Sequence, residues 1–231
     1  MRRMSHQYVD ARIVLTVSTT HVDTVYMSGH GSPRARLLVV TGELLAAEGV
    51  EGVSLREIAR RAGVSHGAPL RHFPSLANLL AHVSAEGFRR LSDAVAAGAA
   101  AGGPTARDRL AGAGRAYCRF GLGQPGLLTL MFRWDLVDLS EPELAAASHE
   151  AFDRFTELVT AAQGEGWQPG SEPRRLAGAL WSAVHGLISL WLPGALQRPT
   201  GAAELEEILG PLLAILIYPE GETYDVLDRR P

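Results

Sequence analysis

From residue 34 onwards, apolar side chains recur at every third or fourth position, the spacing that predicts amphipathic helices. The first predicted helix runs from Arg34 to Glu48 and stops at Gly49, a residue type common at helix C-termini. Its apolar face is formed by Leu37, Leu38, Thr41, Leu44 and Leu45. This segment is therefore expected to bury one side against the rest of the chain.

Two short helices separated by a glycine turn are predicted next. Ser54 can cap the first of them by accepting the backbone N–H near Glu57, whose carboxylate would reach back in a capping box. Gly63 permits a left-handed turn, and Ser65 can cap a following helix of about two turns through His72. Two short helices joined in this way indicate a helix-turn-helix, whose second helix enters the DNA major groove.

The rest of the chain is also predicted to be helical. Ser75 opens a fourth helix that fades into an alanine-rich run ending at Gly102-Gly103-Pro104, the best candidate domain boundary. Later helices are expected at residues 105–120, 124–134, 141–163, 174–192 and 202–217, and 164–173 is a predicted loop. The pattern predicts an all-α fold, with a three-helix N-terminal helix-turn-helix domain over 31–91 and a second helical domain over 104–218.

The overall composition does not indicate a function, but the charge of one segment does. The 231 residues are 46% hydrophobic with a formal net charge of −3, so the chain as a whole is not a polycation. All 22 basic residues are Arg, which a GC-rich genome explains better than binding chemistry does. Between Gly31 and Pro74, however, the sequence contains six Arg and only four Glu, together with two His. DNA contacts are expected from this locally basic patch.

Several other classes of protein receive no support from the sequence. Cys118 is the single cysteine, so no intramolecular disulfide can form, as expected in a reducing cytoplasm. No segment approaches the roughly 20 apolar residues that cross a bilayer, and the apolar stretch near the N-terminus is too short for a signal peptide. We find no nucleophile elbow, phosphate loop or metal-ligand spacing. The expectation is a cytoplasmic protein without cofactor, metal site or membrane span.

The segment from Ser54 to Phe73 reads SLREIARRAGVSHGAPLRHF, and it resembles the DNA-binding signature of the tetracycline-repressor (TetR) family in both residues and spacing. The resemblance extends over about Gly31 to Leu91. It implies a homodimeric transcriptional regulator that binds double-stranded operator DNA. Such a regulator commonly acts as a ligand-responsive repressor, which can control its own gene.

The candidate DNA-binding residues come from this segment and from the start of the first helix. Gly67 and Ala68 are small enough to let the backbone approach DNA, while His66, Arg71 and His72 can reach bases or phosphates. The full candidate set is Arg34, Arg36, Ser54, Arg56, Ser65, His66, Gly67, Ala68, Leu70, Arg71 and His72. Arg60 and Arg61 fit a solvated helix face better, and His72 could instead pack against the first helix.

The C-terminal half contains a second resemblance. The segment from Trp181 to Gly186 looks like the Trp-His-Gly element of one group of TetR C-terminal domains, and the stretches 115–120 and 124–132 are similar to that group's earlier helices. The resemblance implies a domain for dimerisation and for binding a small apolar or aromatic effector. Candidate effector-binding residues are Tyr117, Phe120, Met131, Phe132, Trp134, Trp181 and His185, although aromatic residues at helical spacing are more often core.

Two residues depart from the family pattern. Family members usually carry Tyr at the position of Leu70, and Lys or Arg at the position of Leu76. Both usual residues contact phosphate, and such contacts supply much of operator affinity. A helical small-molecule-binding or interaction protein that has lost operator binding is therefore the alternative, and an enzyme that turns over the ligand is a second one.

Residues 1–30 show no helical periodicity, and residues 1–26 match nothing in the family. The segment is either a disordered arm or a mis-assigned start, with Met27 as the natural start. The peptide from His21 to Met27 can be back-translated, with permitted codons, into an inverted repeat about its central base. Operators of twofold dimers are such repeats. The DNA for this peptide is therefore expected to contain the protein's own operator.

Overall fold

A computed structural model of the protein describes residues 32–218, and every regular element within that range is helical. The first three helices are α1 (Pro33–Glu48), α2 (Leu55–Arg61) and α3 (Ala68–His72), with a short 3-10 turn at Val50–Gly52. The later helices are α4 (Leu76–Ala100), α5 (Ala106–Gly123), α6 (Pro125–Met131), α7 (Pro142–Gly164), α8 (Pro173–Trp191), α9 (Gln197–Thr200) and α10 (Glu206–Ile217). The predicted all-α fold is confirmed. The expectations for residues 1–30 and their coding DNA concern a segment outside the described residues.

Local hydrogen bonds fix several of the predicted helix starts. The Ser32 hydroxyl accepts the Ala35 N–H at the start of α1 (3.2 Å), and the Ser75 hydroxyl accepts the Asn78 N–H at the start of α4 (3.0 Å). Thr105 forms a full capping box with α5, in which its hydroxyl and the Asp108 carboxylate each accept the other residue's N–H. These caps satisfy N–H groups that lack partners within their helix.

Two sequence-based boundaries of the C-terminal helices are wrong, and one short helix was not expected. Helix α6 ends at Met131 rather than at Trp134, because the Phe132 N–H turns back to Thr129 O (3.3 Å) and closes the helix with a tighter bond. Helix α10 starts at Glu206 instead of residue 202, because the Glu207 carboxylate accepts two N–H groups of the preceding turn. The short α9 was not expected at all.

Helix α4 joins the two predicted domains. Its N-terminal half buries Leu79 and Val83 near the first three helices, and its C-terminal half buries Leu91 and Val95 beside α5 and α7. The buried side chains of both parts form one continuous apolar cluster. Since burial of each such side chain contributes about 1.5–3 kcal/mol, α4 is held firmly at both ends. The division into domains at residues 91 and 104 therefore remains a prediction, and it cuts through a helix that both parts share.

Candidate nucleic-acid interface and effector cavity

The angle between α2 and α3 is set by a glycine turn. Gly63 adopts a left-handed backbone (φ +66°), and the next N–H, that of Val64, donates to Ala59 O at 3.0 Å. The side chain of Val64 packs against the core, where Ile58 and Ala59 of α2 are fully buried. A side chain at Gly63 would be strained in this conformation. The predicted helix-turn-helix is thus present, with its turn where the sequence placed it.

Helix α3 is shorter than predicted, and the predicted cap at Ser65 is wrong. The N-cap is Gly67, which makes no side-chain hydrogen bond, and Ser65 contributes only its carbonyl oxygen to the Ala68 N–H (2.9 Å). The cause is Pro69, which lacks an N–H and therefore fits only in the first turn of a helix. Ser65, His66 and Gly67 form an exposed turn ahead of α3 instead of its first residues.

The exposed side chains of this region form one surface. Leu70, Arg71 and His72 point to solvent, while Pro69 and Phe73 are buried and hold α3 against the domain. We call the segments 65–68 and 70–72 the recognition surface. A Cβ built on Gly67 meets no atom within 4 Å, so nothing in the described chain covers that point. Because His72 is exposed, its alternative role of packing against α1 is wrong.

Two of the arginines on α2, Arg60 and Arg61, are engaged in ion pairs. Arg60 donates to the Glu57 carboxylate (2.8 Å from Nε), as does Arg61 (2.9 Å), which also pairs with Glu48. Hydrogen bonds from Arg60 and Arg61 lower the pKa of Glu57 to about 2. The Glu57 carboxylate accepts from Arg60 and Arg61 of its own helix and does not reach back to the Ser54 N–H. Only half of the predicted capping box therefore forms, namely the 3.2 Å bond from the Glu57 N–H to the Ser54 hydroxyl.

Of the four candidate DNA-binding arginines, one contacts aromatic side chains and three have no acidic partner among residues 32–218. The Arg34 guanidinium lies 4.9 Å from the centre of the Phe73 ring and 3.2 Å from His82 Nε2, so it helps to hold the end of α3. Arg36, Arg56 and Arg71 are exposed, and no carboxylate within residues 32–218 pairs with them. These three are the cations most available to DNA phosphates or bases.

A polar cluster connects the helix-turn-helix to the start of α7. Asn78, which is almost buried on α4, donates to Glu141 Oε2 at 2.9 Å. His82 Nδ1 lies 3.5 Å from Glu143 Oε2, and Arg34 approaches the other nitrogen of the same ring. One face of α4 therefore contacts both the start of α7 and Arg34 of α1.

Four of the seven predicted effector-binding residues form an aromatic cluster. The Tyr117 hydroxyl lies 2.8 Å from His185 Nδ1, and burial raises the Tyr117 pKa, so the hydroxyl keeps its proton and donates. Burial also lowers the pKa of His185, which favours a neutral ring whose Nε2 donates to Ser189 Oγ at 3.3 Å. Trp181 contacts Tyr117 edge to face (5.2 Å between ring centres), and the Phe132 ring lies 4.1 Å from that of His185.

The other three predicted residues lie apart from this cluster. Phe120 and Met131 are buried in the core, while Trp134 is 64% exposed because α6 ends before it. Cys118 is buried too, and desolvation raises its thiol pKa to about 12, so it is not a thiolate at neutral pH. Within residues 32–218, no group of three or more His, Cys, Asp or Glu side chains could hold a metal ion.

A cavity of about 410 Å³ lies between α4, α7 and α8, with an edge at α5. Its wall is mostly apolar, with Leu91, Val95 and Ala99 from α4, Leu158 from α7 and Trp181 from α8. At its polar side, Arg154 approaches Ser92 Oγ (3.4 Å) and pairs with Glu150 (2.6 Å). This size and composition suit a small, largely apolar molecule with one polar group.

Sequence reasoning found only Trp181 among the residues that line this cavity. The cavity residues of α4 and α7 were missed because the local sequence pattern does not show where the apolar faces of two helices pack incompletely and leave a cavity. One signal was available: the alanine-rich stretch 94–101 of α4 places small side chains opposite a neighbouring helix, where they can leave space.

This arrangement defines a class of protein: an all-helical DNA-binding regulator with a helix-turn-helix joined by one long helix to a cavity-bearing helical domain. Two family models match the chain, "Bacterial regulatory proteins, tetR family" over residues 37–83 and "Tetracyclin repressor-like, C-terminal domain" over residues 110–212, together more than half of the chain. The chain belongs to the TetR family of transcriptional regulators. Its resemblance to the Trp-His-Gly group remains a prediction.

Solved structures agree with this assignment. A protein of unknown function from Rhodococcus sp. RHA1 is 32% identical with a TM-score of 0.71, covering 81% of this chain and 95% of its own. A TetR family regulator from Marinobacter aquaeolei VT8 is 20% identical (TM-score 0.59, 82% and 96% covered), and the regulator FadR from Bacillus subtilis, solved with stearoyl-CoA, is 16% identical (TM-score 0.60, 79% and 97% covered). The last two likenesses concern the fold alone. No curated protein matches the chain. None of the described helices combines the length and the apolarity needed to cross a bilayer.

Proposed function

We propose that this protein is a homodimeric, ligand-responsive repressor that acts in the cytoplasm by binding operator DNA through α3. The observation that carries the proposal is the recognition surface, where Arg71 and His72 are exposed on a helix anchored from behind by Pro69 and Phe73. A short helix presented in this way can enter a major groove without any rearrangement of its domain. Arg36 and Arg56 add cations for phosphate contacts.

DNA binding is tested by footprinting the full chain on a fragment that contains both the upstream promoter and the codons for residues 1–30. Protection of a defined site, lost at high salt, is the expected result because phosphate contacts release counterions. If the protein protects no site and binds all duplexes equally, the alternative of an interaction protein without operator binding replaces this proposal.

We propose the cavity beside Trp181 as the effector site. It opens against α4, the same helix that carries Asn78 and His82 to the cluster with Glu141 and Glu143. An occupant that separates α7 from α4 would therefore disturb contacts at the base of the helix-turn-helix. The neighbouring FadR structure contains stearoyl-CoA. Here the apolar wall and Arg154 favour a smaller amphipathic or aromatic molecule, bound rather than chemically converted.

A matched pair of variants on α4 tests this site. Ala99 is buried and lines the cavity, whereas Ala97 is exposed and does not, so Ala99→Leu fills the space and Ala97→Leu leaves it open. With the amphipathic aromatic dye anilinonaphthalenesulfonate as the probe, Ala99→Leu should weaken binding at least about tenfold. Equal binding by both variants would place the dye, and the proposed effector site, elsewhere.

We propose that α8 and α10 form the dimer interface. Each exposes a large apolar side chain in the single chain, Leu190 at 51% and Ile215 at 80%. Covering such residues against a twofold mate would remove them from water.

A further inference from the structure

The DNA that encodes part of this chain is a candidate binding site for the protein itself. The peptide from His21 to Met27 reads HVDTVYM, and it lies outside the described residues. The genetic code fixes the first two bases of each codon and the whole codon of Met27, so most of the DNA sequence is known from the peptide.

With permitted third bases, the peptide can be encoded as CATGTAGACACTGTCTACATG, a perfect inverted repeat about its central base. The inverted repeat relates ten positions on one side of the central base to ten on the other. In four of these ten pairs of positions the amino acids alone dictate both bases, and in all four the two bases are complementary. Each of these would agree by chance only one time in four. The remaining pairs contain a degenerate base, and every one of them allows the complement.

The repeat has the dimensions that a twofold dimer of this fold requires. Its arms are centred about 11 base pairs apart, close to one helical turn of DNA, so both arms present their major grooves on the same side. Each subunit offers one recognition helix, α3, whose exposed residues Leu70, Arg71 and His72 cover only a few base edges. One arm per subunit therefore matches one α3 per subunit.

We propose that the DNA encoding His21 to Met27 is an operator of this protein, with one arm bound by each subunit. The proposal rests on the proposed function, because it needs a dimer that binds DNA through α3. It implies that the protein occupies DNA within its own coding sequence and thereby limits its own synthesis.

The gene sequence provides a first test with a clear contrast. A chain with 22 basic residues that are all Arg indicates a GC-rich genome, in which codons ending in G or C are favoured. The repeat instead needs CAT for His21, GTA for Val22 and ACT for Thr24. Finding these three codons supports an operator, since ordinary codon choice opposes them. Finding codons that break the arms overturns the proposal.

Binding by the full chain provides the second test. The matched control is a duplex recoded to CACGTGGACACCGTCTACATG, which encodes the same peptide but breaks the symmetry at three positions. The symmetric duplex should bind at least about 100-fold more tightly, because several arm positions are lost in the control. Equal affinity for the two duplexes contradicts the proposal.

A selection from random DNA with the same protein separates this proposal from the broader one. Enrichment of TGTAGACA-type arms in inverted orientation supports both. Enrichment of a different inverted repeat overturns the operator proposal and leaves DNA regulation intact. If no sequence is enriched, the proposed function itself is wrong.

Discussion

Gly126 at the start of α6 lies directly against Leu45 near the end of α1: a Cβ added at Gly126 would overlap the Leu45 carbonyl oxygen. The contact therefore joins backbone to backbone, between a helix of the C-terminal part and the first helix of the DNA-binding part. Any side chain at this position would have to push the two helices apart. The contact makes α6 a second physical connection between the C-terminal helices and α1, besides the Asn78 and His82 cluster on α4.

Replacing Gly126 should disturb this connection. Gly126→Ala is expected to lower the free energy of unfolding by about 1–3 kcal/mol, since the added methyl group meets backbone that cannot rotate away. Urea denaturation measures the change. Gly123→Ala is the control, because a Cβ at Gly123 meets no atom within 4 Å and alanine is the better helix former. If both variants are equally stable, α1 and α6 are not in contact as described.

His185 should make stability depend on pH in a defined window. Burial lowers its pKa in the folded protein, so on acidification the unfolded chain, with an ordinary value near 6.5, binds the proton first. The contribution of His185 to the free energy of unfolding is therefore fully present above about pH 6.5, and the free energy declines as the pH falls below that value. His185→Gln should flatten this part of the profile, while the same change at exposed His149 serves as the control. An identical slope in His185→Gln and the parent would contradict a partly buried, neutral His185 ring.

The dimer proposal predicts that a charge on α10 separates the subunits. Ile215→Glu places a carboxylate at the most exposed large apolar side chain of the described residues, and burying an unpaired charge in an interface is costly. Light scattering should show a dimer for the parent and a monomer for the variant at micromolar concentration. Leu139→Glu, at a similarly exposed leucine (54%) outside α8 and α10, should remain dimeric. A monomeric parent protein would exclude the proposed interface.

Leu70 is the better place to restore a phosphate contact. Leu76, the other departure from the family pattern, is partly buried against the core, so a lysine there would lose packing, whereas Leu70 is 52% exposed on α3. Leu70→Lys should tighten DNA binding and steepen its salt dependence by about one counterion. An unchanged salt slope would mean that this position does not approach a phosphate.

The helical periodicity predicted most of the fold because helix formation and capping are local. Ser75 and Thr105 cap their helices as expected, and Gly63 makes the predicted turn. The failure at Ser65 was local as well, since Pro69 already marks the first turn of α3. A proline two residues into the observed helix was a stronger signal for its start than a serine upstream.

The site could be predicted only in part, because long-range packing decides it. The sequence singled out Arg34 with the other arginines, but the contact with Phe73 and His82 depends on how α1 and α4 fold together. Trp181 was expected near the effector, whereas Arg154 and Ala99 line the cavity only because α4 and α7 separate locally. Such gaps follow from the fit of whole helix faces.

DNA recognition through α3 is tested by the equilibrium binding of Arg71→Ala to the DNA sequence that the parent protein selects. Arg71 is exposed on α3 and has no acidic partner among residues 32–218, whereas Arg60 is exposed but paired with Glu57, so Arg60→Ala is the control. Arg71→Ala should weaken binding by about 1–3 kcal/mol and relax the preference at one base pair in each half-site, with a smaller loss for Arg60→Ala. An Arg71→Ala protein with the parent's affinity and sequence preference would contradict DNA recognition through α3.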